Sequence, residues 1–113
     1  MITSTTRVKE DVSIIDLDGK LIAGDAAVLY DAVQLLTSRG VTKILINMDQ
    51  LDLMDSSGLG ELGKSAKLAM SKGAALKLTS LGREVRRTLE AAGYLGQFEI
   101  FDSESTAVAS FRG

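Results

Sequence analysis

The residues whose types and spacing could do chemistry lie together between positions 55 and 65, where the chain reads DSSGLGELGKS. The three glycines of this segment, Gly58, Gly60 and Gly63, match the G-x-G-x-x-G pattern of dinucleotide-binding turns. The phosphate-loop pattern G-x-x-x-x-G-K-[ST] is also matched, from Gly58 through Lys64 to Ser65. Both motifs work by aiming backbone N–H groups at phosphate, so both need an open turn there.

The surrounding sequence disfavours a nucleotide-binding turn. Leu59 and Leu62 begin an apolar stripe that continues through Ala66, and this spacing predicts a helix where a phosphate loop must stay open. Glu61 would place a carboxylate among the phosphates. The preceding strand is expected to end near Met48, too early to lead into either motif. A small nucleotide-binding protein that uses residues 58–65 is therefore the least favoured alternative.

A helix N-terminus explains part of the segment. Asp55, Ser56 and Ser57 are all good N-cap residues. Each glycine inside a helix costs about 0.8–1 kcal/mol relative to alanine. Glycine at positions 58, 60 and 63 therefore indicates that another element, a partner or a phosphate approaches the first turns closely. On the residues alone, a simple helix start and a recognition site remain equally open.

The elements that must position this segment follow from the periodicity of the chain. We predict strands over residues 2–8, 12–17, 43–48, 75–79 and 98–101, and a polar turn over 9–11. Four helices are predicted between and after them, the first capped by Asp25 and closed by Gly40, the last capped by Ser103 or Asp102. The order β-β-α-β-α-β-α-β-α predicts an α/β fold: one domain over residues 1–113, with an opening β-hairpin and a mainly parallel sheet flanked by about four helices.

The apolar stripes of these helices predict which residues face the core. In the second helix the stripe runs to Ala69 and Met70, and Gly73 ends it. In the other three helices the predicted inward residues are Leu29, Ala32, Val33 and Leu36, then Val85, Leu89 and Ala92, then Ala107, Val108 and Phe111.

Composition excludes several classes of function. The chain has 113 residues, 13 basic and 15 acidic, and a formal net charge of −2, so the basic excess typical of nucleic-acid binders is missing. It contains no Cys, which excludes a thiolate nucleophile and a zinc-thiolate site, and no His, which removes the commonest general base and the commonest transition-metal ligand. There is no apolar run long enough to span a membrane and no secretory signal pattern. We expect a cytoplasmic monomer that binds neither nucleic acid nor membrane and holds no metal or cofactor.

The segment 54–60, which reads MDSSGLG, resembles the phosphorylation-site motif of bacterial anti-sigma factor antagonists, which are single STAS domains. The resemblance covers nearly the whole chain. The tripeptide GKL at 19–21 follows the second strand at the family's position, and AGYL at 92–95 matches the turn before the last strand. The resemblance implies a β-sheet flanked by helices, in agreement with the predicted element order.

The resemblance also implies a function without catalysis. In family members the unphosphorylated domain binds an anti-sigma factor that is also a serine kinase, and this releases the sigma factor. The kinase then phosphorylates the serine that follows the Asp, and a serine phosphatase reverses the modification. Carried over to this chain, the acceptor is Ser56, flanked by Asp55 and Ser57. Gly58 and Gly60 would let the kinase surface come close, and Ser57 is better explained as the helix cap.

One loop departs from the family pattern. After the second strand the family commonly has Gly-Glu-Leu-Asp, whereas this chain has GKLI at 19–22, so that both acidic residues are replaced. In the family this loop borders the partner-binding surface, which makes Lys20, Ile22 and Gly24 predicted partner contacts. The departure keeps open a same-fold alternative, a STAS module of a sensor or lipid-transport assembly that is not phosphorylated.

Overall fold

The computed structural model describes residues 1–112, and its elements follow the predicted order. The strands are β1 (Ile2–Lys9), β2 (Val12–Leu21), β3 (Lys43–Met54), β4 (Ala75–Thr79) and β5 (Ile100–Phe101). The helices are α1 (Ala27–Ser38), α2 (Ser56–Ser71), α3 (Arg83–Ala91) and α4 (Glu104–Ser110), with a 3₁₀ turn over Leu95–Gln97 before β5. Within residues 1–112, no helix combines the length and the apolar character needed to cross a bilayer.

The five strands form one sheet in the order β1-β2-β3-β4-β5, with β1 antiparallel to β2 and the remaining neighbours parallel. Both faces of the sheet are covered. Ile44 and Ile46 of β3 point into a core formed with α1, α2 and α3, whereas Leu45 between them packs in a second cluster with α4. Burial on both faces explains why three consecutive residues of this strand are aliphatic. The predicted mainly parallel α/β fold is confirmed.

The short helix α4 is held to the second face of the sheet by polar contacts as well as apolar ones. Arg7 on β1 donates to Asp16 on β2 at 2.6 Å and also to Glu104 in the first turn of α4. These hydrogen bonds lower the pKa of both carboxyl groups and raise that of Arg7. At the other end of α4, the buried Lys77 donates from Nζ to the carbonyl oxygen of Ser110 at 3.1 Å. This helix is therefore anchored at both ends.

Strand boundaries differ from the prediction at one end of the sheet. β2 continues to Leu21 and β3 to Met54, whereas the predicted ends were Leu17 and Met48. The extensions pair with each other, with Lys20 opposite Leu53 and Leu21 opposite Met54. Strand β5 covers only Ile100–Phe101 of the predicted 98–101, and the 3₁₀ turn over Leu95–Gln97 lies just before the predicted range.

Several helix details also differ. Helix α1 begins at Ala27 without a side-chain cap, so the prediction that Asp25 caps it is wrong. Ser103 does cap α4, accepting from Thr106 N at 3.3 Å. In α2, Met70 is 80% exposed rather than inward, and Ser65 is buried instead. The predicted stripe followed apolar residue type, whereas the buried face of α2 also uses small residues.

Candidate functional site

Helix α2 begins directly after β3, with Asp55 as the single residue between them. Asp55 has an extended backbone, with φ −102° and ψ −170°, and its Oδ1 accepts a hydrogen bond from Gly58 N at 3.0 Å. Its carbonyl oxygen accepts from Leu59 N at 2.9 Å. Asp55 is thus the N-cap of α2, and it satisfies amide groups that the first turn of a helix leaves without partners.

This geometry removes the basis for a nucleotide loop. All residues from 58 to 65 lie within α2: Gly58 N bonds to the Asp55 side chain and the amides after it bond along the helix, so none is left to surround a phosphate. Lys64 lies near Glu61 at 3.3 Å and over the ring of Tyr30 at 4.8 Å from its centre. One reason for rejecting the motif was nevertheless wrong, since β3 does run up to the segment. The reason that stands is the helical conformation of the segment itself.

The second carboxylate oxygen of Asp55 reaches a different element. Oδ2 accepts from Ala23 N in the loop between β2 and α1 at 3.1 Å, and Asp55 N donates to Leu21 O at 3.3 Å. The hydrogen bond from Gly58 N, followed by that from Ala23 N, lowers the pKa of Asp55, because both stabilise the charged carboxylate. Ala23 and Leu21 were not predicted as site residues. They act through backbone groups, which leave no signal in residue type.

The two serines after Asp55 are both exposed in the first turn of α2. The prediction that Ser57 caps the helix is wrong, because Asp55 occupies the cap position. Neither hydroxyl has a hydrogen-bond partner within residues 1–112. Both hydroxyls are therefore accessible to a modifying enzyme.

The glycines of the motif differ in what surrounds them. Gly58 is buried, and a Cβ added there would lie 2.2 Å from Leu21 O and 2.8 Å from Met54 Cγ. Gly58 was expected to let a partner surface come close, and this is corrected: the group that comes close to Gly58 is the backbone at the end of β2. Gly60 is exposed, and apart from its neighbours and the helix's own backbone no atom of residues 1–112 lies within 4 Å of a Cβ built there. Gly63 lies against Tyr94, whose hydroxyl would be 3.2 Å from such a Cβ.

The loop after β2 lies beside the start of α2. Lys20, near the end of β2, is exposed; in the loop itself Ile22 is partly buried, and Gly24 is exposed with a φ of +93° that favours glycine. The contact between Ala23 and Asp55 joins this loop to the helix. Residues 20–24 and 55–60 were predicted as parts of one surface from separate places in the chain, and the fold brings them together. Within residues 1–112, no cluster of acidic side chains is arranged to hold a metal ion.

Comparison with known proteins gives a family match and several similar folds. A family profile described as STAS domain matches residues 3–107. A proposed anti-sigma factor antagonist from Thermotoga maritima has 23% identity and a TM-score of 0.89, over 97% of this chain and 95% of that chain.

Two further structures widen the comparison. The Bacillus cell fate determinant SpoIIAA, in its phosphorylated form, has 20% identity and a TM-score of 0.74, over 97% of this chain and 100% of that chain. A sulfate transporter family protein from Wolinella succinogenes has 17% identity and a TM-score of 0.73, over 92% of this chain and 87% of that chain. At these identities the three structures show a shared fold and no more.

Proposed function

The chain belongs to the STAS domain family, and we propose that it is an anti-sigma factor antagonist regulated at Ser56. In this proposal the unphosphorylated protein binds an anti-sigma factor that is also a serine kinase, and the sigma factor is released. Phosphorylation of Ser56 ends the binding, and a serine phosphatase restores it. The protein catalyses no reaction itself and needs no cofactor.

The observation that carries the proposal is the exposed Ser56 at the start of α2, with Gly60 one turn further on. Residues four apart lie on the same face of a helix. Gly60 weakens the helix by about 0.8–1 kcal/mol relative to alanine. No atom from another element lies within 4 Å of the position that a Cβ would take, so packing within the described structure does not require glycine there. An approaching partner surface would account for that glycine. The similar fold of SpoIIAA is known in a phosphorylated form, which agrees with an acceptor in this fold.

The expected switch is a change of local charge. A phosphate on Ser56 adds about 1.5 to 2 negative charges at pH 7. The helix N-terminus favours the added charge and Asp55 repels it, and each effect is of the order of 1 kcal/mol at an exposed site. Because the two effects oppose each other, the fold should survive phosphorylation. The partner, in contrast, meets a bulky dianion in a close interface, and a loss of about 3 kcal/mol would weaken its binding roughly a hundredfold.

The test uses the serine-kinase anti-sigma factors of the source genome, purified and incubated with ATP and this protein. We expect mass mapping to place the phosphate on Ser56, Ser56→Ala to abolish labelling, and the neighbouring control Ser57→Ala to retain it. Phosphate on Ser57 with Ser56 unmodified would reverse the assignment.

Binding and stability are then compared for both forms by titration calorimetry and thermal denaturation. The phosphorylated protein should melt within a few degrees of the unmodified one and bind the kinase at least tenfold more weakly. Unchanged affinity would reject the switch, and unfolding on phosphorylation would reject the local-charge mechanism.

A second candidate is a STAS module of another assembly, such as a sensor or lipid-transport complex, that is not phosphorylated. The observation that favours it is the end of β2 and the loop that follows, where Lys20 and Ile22 replace the acidic residues that the family commonly has. The fold also occurs in a sulfate transporter family protein. If none of the kinases binds the protein or labels Ser56, this second candidate takes the place of the first.

A further inference from the structure

Resting on the proposed function, we infer that Asp55 is a positioning residue that assembles the partner-binding surface from two separate segments. Its carboxylate holds the loop between β2 and α1 against the first turn of α2. Residues 22–24 and residues 56–60 then face the partner as one preformed surface.

The two oxygens of Asp55 have separate tasks. Oδ1 accepts from Gly58 N at 3.0 Å and caps the helix, whereas Oδ2 accepts from Ala23 N at 3.1 Å and joins the loop. Within residues 1–112, the second bond is the only side-chain hydrogen bond between this loop and α2. Helix capping alone needs one oxygen, which a serine or asparagine supplies equally well. The second oxygen is what distinguishes an aspartate at this position.

The framework around Asp55 is rigid enough for this bond to set the position of the loop. The ends of β2 and β3 are paired, with Leu21 opposite Met54, and Asp55 N bonds to Leu21 O. Because Gly58 has no side chain, the start of the helix can lie directly against the Leu21 carbonyl oxygen. Beyond Leu21 the chain leaves the sheet, and Ala23 and Gly24 are exposed. Asp25 N bonds to Ile22 O within the loop and Ala26 is buried after it, so the bond from Ala23 N to Asp55 is what ties the exposed part of the loop to the start of the helix.

A loop without this contact would occupy several conformations. The apparent dissociation constant of a partner rises by the reciprocal of the fraction of protein that is binding-competent. If release of Ala23 lowers that fraction to about a tenth, partner binding weakens about tenfold without any loss of a direct contact.

The test uses Asp55→Asn, because an asparagine side chain has a single acceptor oxygen. That oxygen can cap Gly58 N, but the amide nitrogen cannot accept from Ala23 N. Asp55→Ser, a second variant, caps with one hydroxyl. Asp52→Asn is the matched control. It removes the same charge three residues before Asp55, and the Asp52 side chain is exposed and makes no hydrogen bond or ion pair within the described residues.

Amide hydrogen exchange and amide proton shifts are read by NMR for the free protein, and affinity by calorimetry with the kinase of the proposed function. In both Asp55 variants we expect exchange at Ala23 to accelerate at least tenfold and its amide proton to move upfield, with Gly58 still protected. Kinase binding should weaken threefold to tenfold. The Asp52→Asn control should match the parent in every measurement.

Ala23 exchange that stays unchanged in both Asp55 variants overturns the inference, whatever happens to binding, and leaves the proposed function standing. Weaker binding with unchanged Ala23 exchange would make Asp55 a direct partner contact instead. Faster Ala23 exchange with full affinity also overturns it, because the loop position would then not matter to the partner. Failure of the parent protein to bind any kinase is a separate result that rejects the proposed function.

Discussion

Replacing Gly58 with alanine tests the packing at the start of α2. Propensity alone favours alanine by about 0.8–1 kcal/mol in a helix interior, and this is the upper limit for Gly58 because it lies in the first turn. The new Cβ would lie 2.2 Å from Leu21 O, so the helix start must move outward by about 1 Å to restore an ordinary contact. Such overpacking costs about 1–3 kcal/mol, and a lost Asp55 N to Leu21 O hydrogen bond costs about 1 kcal/mol more.

These terms predict a net destabilisation of about 2 kcal/mol for Gly58→Ala, and a melting temperature lower by about 8 °C or more. Gly60→Ala is the matched control: it lies in the same helix with open space around it, and it should stabilise the protein by about 0.8–1 kcal/mol. Urea denaturation of both variants measures the two signs side by side. A Gly58→Ala protein as stable as the parent would refute the packing argument, and so would a strongly destabilised Gly60→Ala.

The remaining predictions concern nucleotide binding and acid stability. We expect no ATP or GTP binding by calorimetry at millimolar nucleotide. Lys64→Ala should cost about 1 kcal/mol or less, because the Lys64 side chain is exposed although its partner Glu61 is mostly buried. Micromolar nucleotide affinity that Lys64→Ala abolishes would overturn this. Arg7 lowers the pKa values of Asp16 and Glu104 in the folded protein. Their ion pairs therefore stabilise the fold above the unfolded pKa values of about 3.9 and 4.3, and this stabilisation is lost as the pH falls through the lower folded values. Arg7→Gln should therefore cost about 1 kcal/mol at pH 7 and lose less stability on acidification than the parent in urea titrations from pH 6 to pH 2. Arg86→Gln, an equal charge change on an exposed face, should keep the parental pH profile, and identical profiles for both variants would contradict the role of Arg7.

Local sequence patterns predicted those features of the fold that depend on the burial or backbone conformation of the residues themselves. Three consecutive aliphatic residues at 44–46 are typical of a strand buried on both faces, and in the structure Ile44 and Ile46 pack on one face and Leu45 on the other. Gly40, predicted to close α1, has a φ of +81° that L side chains rarely adopt. In each case the residue type carries the reason, because burial and backbone conformation are constrained at that position itself.

Local patterns did not predict where β3 ends, because its last residues are strand only through pairing with a distant part of the chain. Asp49, Gln50 and Asp52 interrupt the apolar pattern, so the strand was expected to end at Met48. The structure extends it to Met54 because β2 also extends and supplies the partner hydrogen bonds. Polar residues are tolerated there because their side chains are exposed. The sequence of β3 alone contains no sign of that partner.

The candidate site shows the same limit within a single motif. Gly58 and Gly60 are the same residue type two positions apart. A side chain at position 58 would clash with Leu21 O, whereas no contact inside the described structure prevents a side chain at position 60. Asp55 and Ser56 differ in a similar way, since Asp55 bonds two segments of the protein whereas Ser56 is exposed and bonds neither. The motif therefore combines residues that build the surface with residues that are free to meet a partner. Substitutions of the first kind should change stability or loop order before they change binding, and those of the second kind should change binding in a protein that remains fully folded.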